Sequence, residues 1–226
     1  MIGAVVCDFG GVLTSPLAGS FRAFCEQSGI PLEVIGAALA AIGERDGLHP
    51  LHELECGRVA EADFLARVAA QLAVALDREI EMHDFTRRYF AGLTPNAPMI
   101  ELMASLRDEG YRMACLTNNV REWEPLWRAL VPVDEIFELV VDSAFVGMRK
   151  PDPEIYELTV QRLGMRAEQC LFVDDLEHNC DAARAAGMHA VVYRELEQTI
   201  TEIRAALRSA PSPSVSARSG ARAAGS

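Results

Sequence analysis

The sequence predicts an α/β protein: a parallel sheet flanked by helices, interrupted near its start by an all-helical insertion. Three observations carry that expectation. Short apolar runs stop abruptly at glycines or acids, as buried parallel strands do. Helical patterns alternate with such runs through the second half of the chain. Between residues 15 and 92 the alternation lapses and only helical periodicity remains. With 226 residues, 50% hydrophobic and 24% charged, the chain can form one domain plus an insertion without metal or disulfide staples.

The first expected strand, residues 2–6, ends at Cys7-Asp8 and is followed by Gly10-Gly11. The insertion then reads as four amphipathic helices over residues 21–27, 32–42, 60–76 and 80–90. In the third, Phe64, Val68 and Leu72 recur at helical spacing,. The core resumes near Thr94-Pro95-Asn96. Strands follow at 111–116 and 170–173, with weaker ones at 136–141 and 189–193. Helices are expected at 97–109, 122–130, 152–163 and 178–186. This assigns residues 1–14 and 93–208 to the core and 15–92 to a helical cap. Residues 209–226, rich in Ala, Ser, Pro, Gly and Arg, form an expected disordered tail,.

Composition narrows the function. The 21 basic and 33 acidic residues give a formal charge of −12, which argues against nucleic acid or an anionic membrane as partner. A small anionic substrate is still compatible, because one buried lysine and a few backbone N–H groups hold a phosphate locally. No apolar run is long enough for a transmembrane helix. The N-terminus lacks the basic region of a signal peptide. The six scattered cysteines form no C-x-x-C pair and suit a reducing, cytoplasmic setting,.

In open parallel sheets ligands bind at the carboxyl ends of the strands. Three expected strands end there in polar groups: Asp8, then Thr117-Asn118-Asn119, then Asp174-Asp175. Lys150 precedes Pro-Asp-Pro, where Asp152 suits a helix N-cap and Pro153 its first residue. Two adjacent acids at a buried strand end repel each other unless a cation binds. Carboxylates, a hydroxyl and one lysine on a single rim suit Mg2+ and a phosphate. Taken singly, Asp8 reads equally well as a helix cap, Lys150 and Arg149 as solvated side chains, and Trp123 and Trp127, four residues apart, as packing.

In this order, Asp8-Phe-Gly-Gly-Val-Leu-Thr, Leu116-Thr117-Asn118, Lys150-Pro-Asp-Pro and Phe-Val-Asp174-Asp175-x-x-x-Asn179 resemble the four motifs of the haloacid dehalogenase superfamily. The insertion resembles that family's type 1 cap (subfamily IA), including the phrase from Glu55 to Phe64. The resemblance covers nearly the whole chain except the tail. It implies a doubly wound, Rossmann-like core with an inserted all-helical cap and a Mg2+-dependent phosphatase acting on a small phosphorylated metabolite, as monomer or homodimer. Asp8 would be the nucleophile and become an aspartyl-phosphate. Asp8, the Gly10 carbonyl and Asp175 would hold the metal, with Asp174 acting through water or orienting its partners. Thr117 and the N–H of Asn118 would grip the phosphoryl oxygens, and Lys150 would neutralise nucleophile and phosphate.

One position departs from the pattern. Family phosphatases usually carry a second aspartate two residues after the nucleophile, as general acid and base, and here that residue is Gly10. Such catalysis is typically worth about 10²–10⁴-fold. Either another group takes over, the leaving group needs no proton, or activity has faded into metal and phosphate binding. His49, His52 and His178 are the imidazoles that offer themselves as replacements; a solvated turn around Pro50 is the plainer reading of the first two. Hydrolytic dehalogenation, the family's metal-free branch, is disfavoured by the paired Asp174-Asp175.

Overall fold

The computed structural model describes residues 1–209. The expected tail lies outside the described residues, apart from Ser209, which ends the last helix. Five strands, β1 (Ala4–Cys7), β2 (Arg112–Thr117), β3 (Leu139–Asp142), β4 (Cys170–Asp174) and β5 (His189–Val192), form one sheet in the order β3-β2-β1-β4-β5. Every pairing is parallel, with Val5 opposite both Met113 and Leu171. The chain starts at the central strand, builds outward through β2 and β3, then crosses back to place β4 and β5 on the other side. That reversal opens a crevice at the carboxyl ends of β1 and β4, the usual ligand site of doubly wound sheets.

Alternation along the strands explains why both faces are covered. Val5, Cys7, Met113, Cys115, Leu171 and Val173 face one layer, packed by Met99, Met103 and Leu106 of α6 (Ala97–Asp108) and Ile203 and Leu207 of α12 (Leu196–Ser209). Val6, Ala114, Leu116 and Phe172 face the other, under α10 (Pro153–Leu163) and α11 (Glu177–Ala185). Strands buried on both sides carry little polarity until their carboxyl ends. All six cysteines are buried and unpaired. Among the described residues no helix is long and apolar enough to cross a membrane.

Between β1 and α6 lie α1 (Leu17–Ser28), α2 (Leu32–Asp46), α3 (Pro50–Glu55), α4 (Glu61–Leu76) and α5 (Phe85–Ala91). They pack around a second core that includes Phe24, Ile42, Leu54, Phe64, Val68 and Leu72. The chain leaves and re-enters the sheet domain side by side. Thr14 pairs with Pro95, and the Ser15 N–H donates to the Thr94 carbonyl at 2.8 Å.

Several boundaries differ from the sequence expectation. Residues 80–84 are not helical: Asp77 caps α4 in the left-handed region (φ 49°), and a tight turn from Met82 to Phe85 starts α5 late. Residues 121–123 form a 3₁₀ turn, and α7 (Glu124–Leu130) starts beside Pro125, which needs no N–H donor there,. Ile136, expected in a strand, ends the short helix α8 (Val133–Ile136), and β3 begins only at Leu139. The segment around Pro50 is the helix α3 rather than a solvated turn, with His49 at its N-cap and Pro50 at its first position,. α9 (Ser143–Val146) and α12 had no distinct signal.

The helical layer is latched to the sheet domain along one seam. Ser143 Oγ donates to the Glu55 carbonyl at 2.6 Å, and Trp123 Nε1 to Glu61 Oε1 at 2.7 Å. Gly57, in the left-handed region (φ 64°), is pressed against α9: a Cβ there would lie 2.2 Å from the Ala144 carbonyl oxygen and 2.8 Å from Arg121 Nη2. Gly57→Ala is therefore expected to lower stability by about 1–3 kcal/mol, read as a lower urea midpoint. An unchanged midpoint would mean that the seam is looser than described.

Candidate active site

Asp8 follows β1 directly, and its N–H donates to the Val173 carbonyl at 2.8 Å, so the β1–β4 pairing fixes where its side chain starts. Lys150 Nζ lies 2.6 Å from Asp8 Oδ1 and 2.6 Å from Asp174 Oδ2. All three groups are buried: Lys150 is 2% exposed, Asp174 0% and Asp8 7%. The lysine is delivered by its own backbone. Its N–H donates to Asn118 Oδ1 at 2.8 Å, and its carbonyl accepts from Asn118 Nδ2 at 2.9 Å. The Asn118 side chain thus positions Lys150, leaving only its N–H for a phosphate. Thr117, the last residue of β2, is buried on the same rim.

Asp174 is surrounded. Besides Lys150, it accepts from the Leu176 N–H at 2.8 Å and from Asn179 Nδ2 at 3.0 Å. Asn179 is anchored in turn, its carbonyl accepting from the Tyr156 hydroxyl at 2.9 Å. Both Asp174 oxygens are thus engaged, whereas Asp8 and Asp175 have freer ones. Asp175 stays half-buried because the chain makes room for it: a Cβ on Gly11 (φ 76°) would sit 2.3 Å from Asp175 Oδ2.

The electrostatics ask for a cation. Asp8, Asp174 and Asp175 bring carboxylate oxygens within 4.8 Å of one another. Three carboxylates against one ammonium leave two uncompensated negative charges. Burial lifts Asp8 to about 7, with Lys150 pulling it back and Asp174 pushing it further. Burial and then Asp174 lift Asp175 to about 6. Burial works against the charge on Lys150, but Asp174 and Asp8 outweigh it and hold the lysine firmly protonated. An all-oxygen donor set short of two positive charges fits Mg2+, with Asp8, Asp175 and the Gly10 carbonyl as the residues to hold it.

Above this rim the helical layer closes a cleft lined by Gly10, Thr117 and Asn118 on one side and by Leu17, Phe21, Glu55 and Tyr89 on the other. A Cβ on Gly10 would meet Leu17 Cδ1 at 2.9 Å, so hydrocarbon from α1 occupies the space of a side chain at position 10. Glu55 is the one carboxylate on the cleft wall among the described residues. Burial lifts its carboxyl above the usual range and Arg149, 2.7 Å away, pulls it back. Arg149 is thus an ion-pair partner rather than a solvated side chain. Trp123 and Trp127 pack as expected and also line the cleft, which the sequence reading did not foresee. His49 and His52 lie together at the start of α3, rings 4.7 Å apart, and neither lines the cleft; His178 is exposed on α11. Of what was missed, Glu55 had a signal in the cap phrase it opens, whereas Leu17 and Gly11 had none of their own.

A family model described as haloacid dehalogenase-like hydrolase matches residues 2–187. The chain is 30% identical over 207 residues to Phosphatase MT3486 of Mycobacterium tuberculosis, covering 88% of this chain and 90% of that protein. It is 28% identical over 212 residues to mouse acyl-CoA dehydrogenase family member 10, covering 90% of this chain but only 19% of that much longer relative. Among solved structures, a HAD family enzyme from Bacteroides thetaiotaomicron in complex with magnesium and inorganic phosphate superposes with a TM-score of 0.64 at 21% identity, over 86% of this chain and 95% of that one.

The raised Asp175 gives a signed prediction. A carboxyl at about 6 when folded, against about 3.9 unfolded, stabilises the protein at low pH and loses that contribution as pH rises through 6. In chelator, Asp175→Asn is therefore expected to melt a few degrees above wild type near pH 7.5, to keep about half of that advantage near pH 5 and to lose it below about pH 4. A variant that melts below wild type at both pH 7.5 and pH 5 would contradict the crowded-carboxylate reading.

Proposed function

We propose that this chain, which belongs to the haloacid dehalogenase-like hydrolases, is a Mg2+-dependent phosphatase that hydrolyses a small phosphorylated metabolite in the cytoplasm. The observation that carries the reading is the buried Lys150 held 2.6 Å from both Asp8 and Asp174, beside a third carboxylate. A reducing compartment suits the six buried, unpaired cysteines,. The phosphatase name of a relative aligned over nine-tenths of its length supports the reading.

In this mechanism Asp8 uses the oxygen not engaged by Lys150 to attack phosphorus. The P–O bond to the leaving group breaks, and that oxygen departs with its electron pair. Lys150 favours the ionised form of Asp8 and orients it, and its charge offsets the charge building on the phosphoryl oxygens. The Thr117 hydroxyl and the Asn118 N–H fix those oxygens in place. A bound Mg2+ supplies Lewis-acid stabilisation of the same charge. Water then cleaves the acyl-phosphate, freeing Asp8 and inorganic phosphate.

Neither step has its proton carrier at position 10. Leu17 fills that space with hydrocarbon, so departure without a proton is the route the site favours. Across substituted phenyl phosphates, kcat/KM should rise steeply as the phenol becomes more acidic, and simple alkyl phosphates should be slow; a flat series would show that another acid acts. Restoring the missing group needs room, so Gly10→Asp combined with Leu17→Ala should speed alkyl phosphate hydrolysis by about tenfold or more over wild type. Asp8→Asn should abolish turnover of p-nitrophenyl phosphate, and chelator should do the same. Substantial activity in either case sinks the assignment. The main alternative, a metal- and phosphate-binding protein without turnover, predicts Mg2+-dependent phosphate binding and no release of nitrophenol.

A further inference from the structure

Two features of the site restrict the substrate independently. The first is chemical. With Gly10 and Leu17 where a proton carrier would stand, three classes of phosphate depart readily without help: esters of phenols, anomeric sugar phosphates and acyl phosphates. The second is the wall of the cleft. Phe21, Tyr89, Phe90 and Trp123 form a ring cluster along it, with Phe21–Tyr89 centroids 5.2 Å apart, Tyr89–Trp123 5.1 Å and Phe90–Trp123 5.4 Å. Phe21, Phe90 and Trp123 are only partly buried, so ring surface remains to meet a ligand.

Several polar atoms of that wall are already engaged. Trp123 Nε1 donates to Glu61, both ends of the Asn118 amide hold the Lys150 backbone, and the Glu55 carboxylate is paired with Arg149. Asn119 Oδ1 accepts from the Val120 N–H. Trp127 Nε1 is sealed from the cleft, and the Tyr89 hydroxyl and Asn119 Nδ2 are the wall's side-chain donors left without a partner among the described residues, enough for one ring substituent but not for a polyol. A sugar entering here would shed hydration from several hydroxyls and find few replacements, at about 1–3 kcal/mol for each left unpaired. An aromatic ring would instead meet ring edges and faces at stacking distance.

The two restrictions overlap in one class. We propose that the substrate is an aryl phosphate, the phosphate monoester of a phenol, with its ring held against Phe21, Tyr89, Phe90 and Trp123 and its phosphoryl group at Asp8 and Thr117. The proposal rests on the phosphatase reading and adds the class of the leaving group. The reaction balances as written: Asp8 displaces phenolate, the phenolate takes its proton from water after leaving, and water hydrolyses the acyl-phosphate.

The test is a panel on the wild-type protein with Mg2+: 1-naphthyl phosphate, glucose 1-phosphate, acetyl phosphate and hexyl phosphate. The last is apolar but a poor leaving group. Naphthyl phosphate is expected to exceed glucose 1-phosphate in kcat/KM by roughly tenfold or more, and to have a KM roughly tenfold or more below that of acetyl phosphate, whose more acidic leaving group sets its kcat independently of the ring cluster. 1-Naphthol should inhibit competitively, and glucose should not. Glucose 1-phosphate turned over as well as the naphthyl ester, or acetyl phosphate with as low a KM, would overturn the aryl assignment while leaving the phosphatase reading intact. Hexyl phosphate matching the naphthyl ester would also overturn it, because apolarity alone would then set the choice. No hydrolysis of any member would overturn both.

Discussion

The buried ammonium of Lys150 is the interaction on which the rest of the structure depends. It stands between Asp8 at the end of β1 and Asp174 at the end of β4, so it ties the two strands that border the crevice. Neither carboxylate could stay charged there alone, because isolated ions in a dry interior are costly. Removing the lysine would leave two buried acids without compensation, a loss typically of about 3–5 kcal/mol. Its partners are over-determined in turn: Asn118 holds its backbone, while Leu176 and Asn179 hold Asp174. The same contacts that make the cluster stable also preorganise it, holding the Asp8 carboxylate in one orientation.

The cluster is nonetheless incomplete in charge. Gly11 keeps open the space into which Asp175 projects, adding a third carboxylate to a pair already matched by one lysine. Sites for divalent cations are built in this way, with carboxylates held in mutual repulsion until the ion arrives. The helical layer above supplies the opposite character. Leu17 covers position 10 with hydrocarbon, and the ring cluster continues that surface outward. The result is an ionic floor beneath a mostly apolar vault, joined at a seam where Ser143, Arg149 and Gly57 hold α3 and the loop after it against the sheet domain.

Much of this was legible in the sequence because strand ends in a parallel sheet announce themselves. An apolar run that halts at Asp8, at Thr117 or at Asp174-Asp175 can only place those groups at the carboxyl rim, and the structure gathers all of them there with Lys150. The hydrophobic periodicity of Phe64, Val68 and Leu72 likewise found α4, whose buried stripe they form. What the sequence hid depends on long-range packing. Leu17 is one leucine among many until the fold sets it against Gly10. Glu55 and Arg149 are 94 positions apart and show their pairing only across the seam. Short elements were also obscure: α3 is set by Pro50 at its first position and α8 by its packing, and neither has a pattern long enough to stand out,.

The proposed nucleophile, Asp8, works at a site without a proton carrier at residue 10. With no base there to activate water, breakdown of the covalent intermediate should be slow enough for it to accumulate. The most direct measurement is mass spectrometry of the peptide bearing Asp8 after acid quench of the enzyme turning over an aryl phosphate with Mg2+. This peptide is expected to gain the mass of one phosphoryl group, localised to Asp8. Phosphoryl transfer to another residue, or sustained turnover with Asp8 never modified, would contradict it.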